Sequence, residues 1–188
     1  MSRPLPDSND LISHIAIFDS RQAYRQLFKT LFPVLYRLCY VLLKSEELAE
    51  EVAGEVMIGL WRNRRRLPDI HDLRIHAFNL AKDLSLNILR ANPGQELLSV
   101  NDIRVDILLN TVCRENALID NELKEKLEIA TQDLSGQCKL VFRLIREAGL
   151  SYKETSAILN ISVKTVDIYL ATAVKKLTGV LRTEFKLT

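Results

Sequence analysis

The chain has 188 residues, 47% of them hydrophobic, with 26 Lys and Arg against 24 Asp and Glu. That length accommodates one large or two small domains with real cores. A net charge of +2 is low for a protein that holds DNA by its own electrostatics alone.

Six glycines and five prolines leave room for long helices and argue against a β-rich fold. The polar start, Met1 to Asp10 with two prolines, is unlike a signal peptide. The apolar run Val34–Leu43 is interrupted by Arg37 and too short for a bilayer. A cytoplasmic protein without membrane insertion is expected. Cys39, Cys113 and Cys138 are far apart, and with His14, His71 and His76 they form no metal-ligand spacing. Reduced thiols are expected, with no metal and no cofactor. No nucleophile or phosphate-loop motif argues for an enzyme, so no catalytic residue is assigned.

In chain order the pattern is helical almost throughout. A first long helix is predicted over 20–43, with Pro33 a candidate bend and Phe28, Leu31, Leu35, Leu38 and Leu42 on one side. Ser45 caps a second helix running to about Arg65. Glu46, Glu47, Glu50 and Glu51 lie in its first turns, where the helix dipole favours acids. Its buried stripe is Ala49, Val52, Ala53, Val56 and Leu60. An arginine-rich turn ends in Leu67-Pro68-Asp69. A third helix covers about Asp72 to Arg90, burying Leu73, Ala77, Leu80, Ala81, Leu84 and Ile88. Asn92-Pro93-Gly94 stops it. Residues 92–114 show no sustained period and read as a linker. Helices return over about 115–131 and 136–147.

The stretch from Leu150 to Val166 then reads as a helix-turn-helix. Tyr152–Leu159 is a short helix, and Asn160 tolerates the positive φ of a tight turn. Ser162 supplies the N-cap oxygen of the next helix. Val163, Val166, Leu170, Ala173, Val174, Leu177 and Leu181 form the buried stripe of that helix, packing on Ile158 and Leu159. The opposite face gathers Lys164, Thr165, Ile168, Thr172 and Lys175, with Lys176 beside them. Lys164 and Thr165 suit base edges and phosphates at a helix N-terminus. Ile168 is either a tolerated surface residue or a contact to a thymine methyl. Lys175 and Lys176 are either solvated charges or phosphate ligands. Residues 151–188 carry six Lys or Arg against three acids, so the basic charge is local. The expected fold is all-α: two small helical domains, 1–91 and 115–188, joined by a linker over 92–114, with a C-terminal helix-turn-helix.

The order of these elements resembles an extracytoplasmic-function (ECF) sigma factor of bacterial RNA polymerase. Glu47-Leu48-Ala49-Glu50-Glu51-Val52 through Leu60-Trp61 resembles the family's clamp-gripping region 2 helix. Leu73 through Leu89-Arg90 resembles its promoter-melting helix. Tyr152-Lys153-Glu154 through Val166 resembles its region 4 helix-turn-helix. The run Ser162-Val163-Lys164-Thr165-Val166-Asp167 looks most like the branch common in Bacteroidetes.

The resemblance implies core RNA polymerase and promoter DNA as partners, with an anti-sigma factor or another recruiting protein as a further candidate. It places Glu47, Glu51, Gly54, Ile58 and Trp61 on polymerase. Arg62, Asn63, Arg64, Arg65, Arg66, His71 and Lys82 would meet the melted strand. Ser162, Lys164, Thr165, Ile168, Thr172, Lys175 and Lys176 would meet the upstream promoter element. Taken as residues alone, the arginines are either phosphate ligands, the favoured reading, or a solvated basic helix end; Trp61 is a core or clamp-side anchor rather than a base-stacking platform, and Phe78 packs or stacks, with packing favoured. An apolar Ile58 on a charged face suggests a protein interface.

The chain departs from the family at Gly54, often Gln, and at Asp83, often Asn. It departs also at Thr155-Ser156, commonly Ile-Ala, and at Asn160, commonly Gly. These departures point to weakened autonomous promoter use. Two other readings compete: a response-regulator-type transcription factor, and a helical sigma mimic that binds protein only.

Overall fold

The computed structural model describes residues 8–91 and 134–185. The linker assigned to 92–114 and the helix expected over 115–131 lie outside these residues. Among the described residues the secondary structure is helical, with no strand.

The N-terminal half comprises α1 (Ser8–Phe18), α2 (Arg21–Leu43), α3 (Glu46–Arg62), a 3-10 turn (Arg64–Asp69) and α4 (Leu73–Ala91). Helix α1 was not expected from the sequence. The prolines just ahead of it masked a short amphipathic period, Leu11-Ile12-Ile15, of which Ile12 and Ile15 are buried. Ser20 caps α2 by accepting from the Ala23 amide at 3.3 Å. Ser45 does the same for α3 with the Leu48 amide at 3.3 Å. Helix α2 contains Pro33 and ends at Lys44 in the left-handed region.

Helix α2 has the length and apolar content of a membrane span. Leu27, Leu31, Leu35 and Leu38 along it are nevertheless fully buried in the core. Phe28 departs from the expected stripe: it is exposed and stacks on Phe32 with ring centroids 4.7 Å apart. The predicted stripe of α3 is buried throughout, with Met57 added. On α4, Leu80, Leu84 and Ile88 lie at the core's edge, while Phe78, Ser85 and Leu86 are buried.

The C-terminal half comprises α5 (Gly136–Arg146), α6 (Tyr152–Leu159) and α7 (Val163–Phe185). After α5 the chain turns at Gly149, φ +74°, and the Leu150 amide reaches back to the Leu144 carbonyl at 3.0 Å. Such a left-handed residue satisfies orphan carbonyls at a helix end.

Two small apolar clusters are local to this half. One holds Leu134, Cys138, Ala173 and Leu177; the other holds Val141, Val166 and Leu170. Its remaining buried apolar residues among those described, Leu140, Leu144, Ala148, Leu150 and Ile158, join the core of the N-terminal half instead. Ile158 therefore does not serve mainly as a floor for α7, as the sequence pattern suggested. Leu159 and Ile161 pack against that stripe. Val163 and Val174, placed in the stripe by their spacing, are 47% and 37% exposed.

Ser151 and Glu154 form a reciprocal capping box at the start of α6. The Glu154 carboxylate accepts from the Ser151 amide at 2.7 Å and from Arg74 Nε of α4 at 2.6 Å. Burial raises its pKa, but these donors outweigh burial and hold the carboxyl below the ordinary glutamate value. A lowered folded-state pKa contributes stability above the unfolded value and loses it as pH falls through the folded one. Glu154→Gln is therefore expected to cost about 1–3 kcal/mol at pH 7. The gap between variant and wild type should close as pH falls below about 4.5, the unperturbed value. Urea unfolding of both proteins across that range measures it; a gap independent of pH would remove the carboxylate as its cause.

Candidate polymerase and nucleic-acid surfaces

Three surfaces stand out. The first is the outer face of α7. Asn160 adopts φ 54°, ψ 42°, the left-handed turn between α6 and α7. Ser162 Oγ accepts from the Thr165 amide at 3.0 Å and lies 2.7 Å from Thr165 Oγ1. Both hydroxyls are thus engaged in starting the helix, and Thr165 is only partly exposed. Lys164, Ile168, Thr172, Lys175 and Lys176 are exposed along one side, with Ile168 at 52%. Thr172 Oγ1 donates to the Ile168 carbonyl at 2.8 Å, leaving its oxygen lone pairs as acceptors.

The second surface is the outer side of α3. Glu47, Glu51 and Ile58 are exposed there, Ile58 at 52%. Gly54 lies among them with open space around the position a Cβ would take. Trp61, at the same helix's end, is half-buried. Its ring lies 4.8 Å from that of Tyr24 and 4.6 Å from the Arg64 guanidinium, while Tyr24 Oη donates to the Met57 carbonyl at 2.6 Å. Trp61 thus packs between helices at the edge of the exposed face.

The third surface is the basic end of α3 and the turn after it. Arg62, Arg65, Arg66 and His71 are exposed. Asn63 folds back, its side-chain amide donating to the Gly59 carbonyl at 3.0 Å. Arg64 is tied inward: it pairs with Asp19, donates to the Trp61 carbonyl at 3.1 Å and covers the Trp61 ring. The hydrogen bond from Arg64 holds the Asp19 carboxyl below its usual range. Lys82 lies apart from this patch, partly buried on α4, with Nζ donating to the Ile158 carbonyl at 3.3 Å.

Two participants escaped sequence reasoning. Asp19 follows from the missed α1. Arg74 meets Glu154 across 80 positions of sequence, a pairing with no local signal. The Ser151-x-x-Glu154 half of that arrangement is a readable capping-box spacing.

Phe78 is fully buried, with the Arg74 guanidinium 5.3 Å from its ring centroid. Cys39 and Cys138 are buried free thiols. Burial pushes the Cys39 thiol up to about 12, which makes it a poor nucleophile at neutral pH. Among the described residues no group of His, Cys, Asp and Glu has the makings of a metal site.

The geometry defines a two-part helical protein with a DNA-reading type of helix-turn-helix behind a four-helix domain. Residues 27–93 match Sigma-70 region 2, and residues 125–177 match Sigma-70, region 4. Together these matches take in more than half of the chain, which belongs to the sigma-70 family. No curated protein sequence matches it.

Two solved structures share the fold. CnrH in complex with the cytosolic domain of CnrY is 18% identical, with a TM-score of 0.58 over 93% of this chain and 97% of that one. The sigma factor RpoE in complex with the anti-sigma factor NepR from Bartonella quintana is 19% identical. Its TM-score is 0.58 over 86% of this chain and 98% of that one.

The open space at Gly54 has an energetic consequence. Gly54→Ala should add about 0.5–1 kcal/mol of stability, because a helix-interior glycine loses more backbone freedom on folding. A raised urea midpoint at unchanged slope is the expected result; a lowered midpoint would mean that the position is closed to a side chain.

Proposed function

We propose that this protein is an ECF-type sigma factor that brings core RNA polymerase to promoters and starts transcription there. The observation that carries this reading is the presence, in one chain and in order, of sigma-70 regions 2 and 4. In the described part of each, a chemically suitable face is exposed. Members of this family are initiation factors and do no covalent chemistry, so the site residues act by binding alone.

In this reading Glu47, Glu51, Gly54 and Ile58 dock on the polymerase clamp, with Trp61 steadying the end of that face. Arg62, Arg65 and Arg66 hold phosphates of the melted strand, with His71 beside them. Arg64 and Asn63, engaged within the chain, set the geometry of that patch and reach phosphate only by releasing their partners. Lys164 reads a base edge, Ile168 meets a thymine methyl, and Lys175 and Lys176 touch backbone. Ser162 and Thr165 shape the start of the reading helix, and Thr172 lies beside the backbone-contacting lysines.

The low net charge fits a factor whose DNA affinity is supplied largely by polymerase. Such a factor works in the cytoplasm, and an anti-sigma factor or a recruiting protein remains a candidate partner. The run Ser162–Asp167 supports a Bacteroidetes-like branch. A response-regulator-type reading needs a phosphoacceptor domain upstream, and residues 27–93, which take in most of α2 and all of α3 and α4, match region 2 instead. A protein-only adapter would leave the basic outer face of α7 without a role.

Run-off transcription with core polymerase tests the function itself. For the clamp face, Ile58→Glu should weaken core binding at least tenfold while the free chain keeps its helicity; unchanged affinity in a titrated pull-down would remove this interface. For the reading helix, three variants should fail differently in competition binding on a randomised upstream element. Lys164→Ala should cost about 1–3 kcal/mol and relax preference at one position. Ile168→Ala should lose discrimination for thymine over cytosine. Lys175→Ala should weaken all sequences alike and lower the salt slope by about one unit. Wild-type preference and salt dependence in all three would favour the adapter.

A further inference from the structure

The two halves of the chain meet along a seam, with α2 and α4 on one side and the end of α5, the turn after it and α6 on the other. A cleft of about 540 Å³ opens into this seam, and its wall draws on both halves. Arg37 of α2, Arg74 of α4 and Arg146 at the end of α5 border it, and none of its lining residues is acidic.

Three guanidinium groups around one space repel each other. Each arginine has a local reason for its place, but none of these reasons accounts for their convergence. Arg37 Nε donates to the Ala148 carbonyl at 3.2 Å, and Arg74 Nε donates to Glu154 Oε1 at 2.6 Å. Both are anchored through one nitrogen, which leaves the terminal nitrogens of each fork as donors. Arg146 is exposed at the negative end of the α5 dipole, which favours a cation. The neighbouring acids are committed elsewhere. Glu154 accepts from the Ser151 amide and hydroxyl as well as from Arg74, and Glu147 lies 3.7 Å from Arg143. Among the described residues, Glu154 thus offsets one of the three charges on the cleft and two remain.

The size and the rest of the lining select the anion. Clefts of about 300–1,000 Å³ hold small molecules, and a space walled by both halves does not admit a DNA duplex. A phosphate offers several oxygens and up to two charges, so it engages more than one guanidinium fork at once. Val34 and Ile145 add apolar wall, and Tyr152, 38% exposed, supplies a ring against which a flat heterocycle stacks.

We propose that this cleft binds a nucleotide. Its phosphates engage Arg37, Arg74 and Arg146, and its base lies on Tyr152. Occupancy relieves the repulsion among the three arginines while the halves stay docked on their shared core. The site does not depend on the sigma-factor reading, so it is open to test on the full chain without polymerase.

Isothermal titration calorimetry with ADP and with inorganic pyrophosphate should show one saturable site for each, ADP binding about tenfold tighter through its base. Arg146→Ala should weaken both ligands about tenfold, with Arg146→Lys recovering part of the loss. Because Arg146 is exposed, the melting midpoint without ligand should not move, and circular dichroism should show native helicity. Tyr152→Ala should weaken ADP about tenfold and leave pyrophosphate unchanged. No saturable binding of either probe up to about 1 mM, or binding that Arg146→Ala leaves unchanged, would overturn the site. A final arm separates a soluble nucleotide from the phosphates of a DNA strand. An excess of single-stranded oligonucleotide should leave ADP bound; displacement would assign the three arginines to a DNA backbone and overturn the proposal.

Discussion

The arrangement depends on a loan of apolar surface between the two halves. Leu140, Leu144, Ala148, Leu150 and Ile158 are buried with the leucines of α2 and the face of α4, not in a separate core of their own. Among the described residues, what stays local to the C-terminal half is two small clusters of four and three buried residues. Small domains bury a smaller fraction of their surface and are marginal alone. Docking on the larger half adds burial to this one, and it fixes the direction in which the helix-turn-helix points. With α6 pressed on α4, α7 is directed outward.

Charge follows the same division. Acids of the chain neutralise basic groups at three of the places where the two halves or neighbouring helices touch: Glu154 on Arg74, Asp19 on Arg64, Asp72 near Lys153. Basic groups directed outward, Arg62, Arg65, Arg66, Lys164 and Lys175, face solvent. A net charge of +2 thus conceals two local basic surfaces. Local charge of this kind lets a chain of low net charge carry DNA-binding regions.

Much of this was legible wherever the determining contacts are local. The α6–α7 turn follows from Asn160 and Ser162, residues that stabilise it by their own backbone and side-chain preferences. The α3 stripe follows from helical period, as do the bounds of α4 to within a residue or two. Legibility failed at the edges of stripes, where Val163, Val174 and Phe28 satisfy the spacing but lie outside the packed arc. It failed at α1, whose short period follows two prolines. It failed most at the seam, because Arg74 and Glu154 are 80 residues apart and neither has a local reason to face the other. Arg64 belongs to the same class. It stands in a run of arginines that reads as one patch, yet tertiary contact with Asp19 and Trp61 withdraws it from that patch.

The shared core is open to a single direct measurement. Differential scanning calorimetry of the full chain at neutral pH should show one cooperative transition, with calorimetric and van't Hoff enthalpies in agreement. Two separate transitions, the smaller unchanged when Phe78 of the larger half is truncated to alanine, would show that the C-terminal half has a core of its own and would contradict the arrangement described.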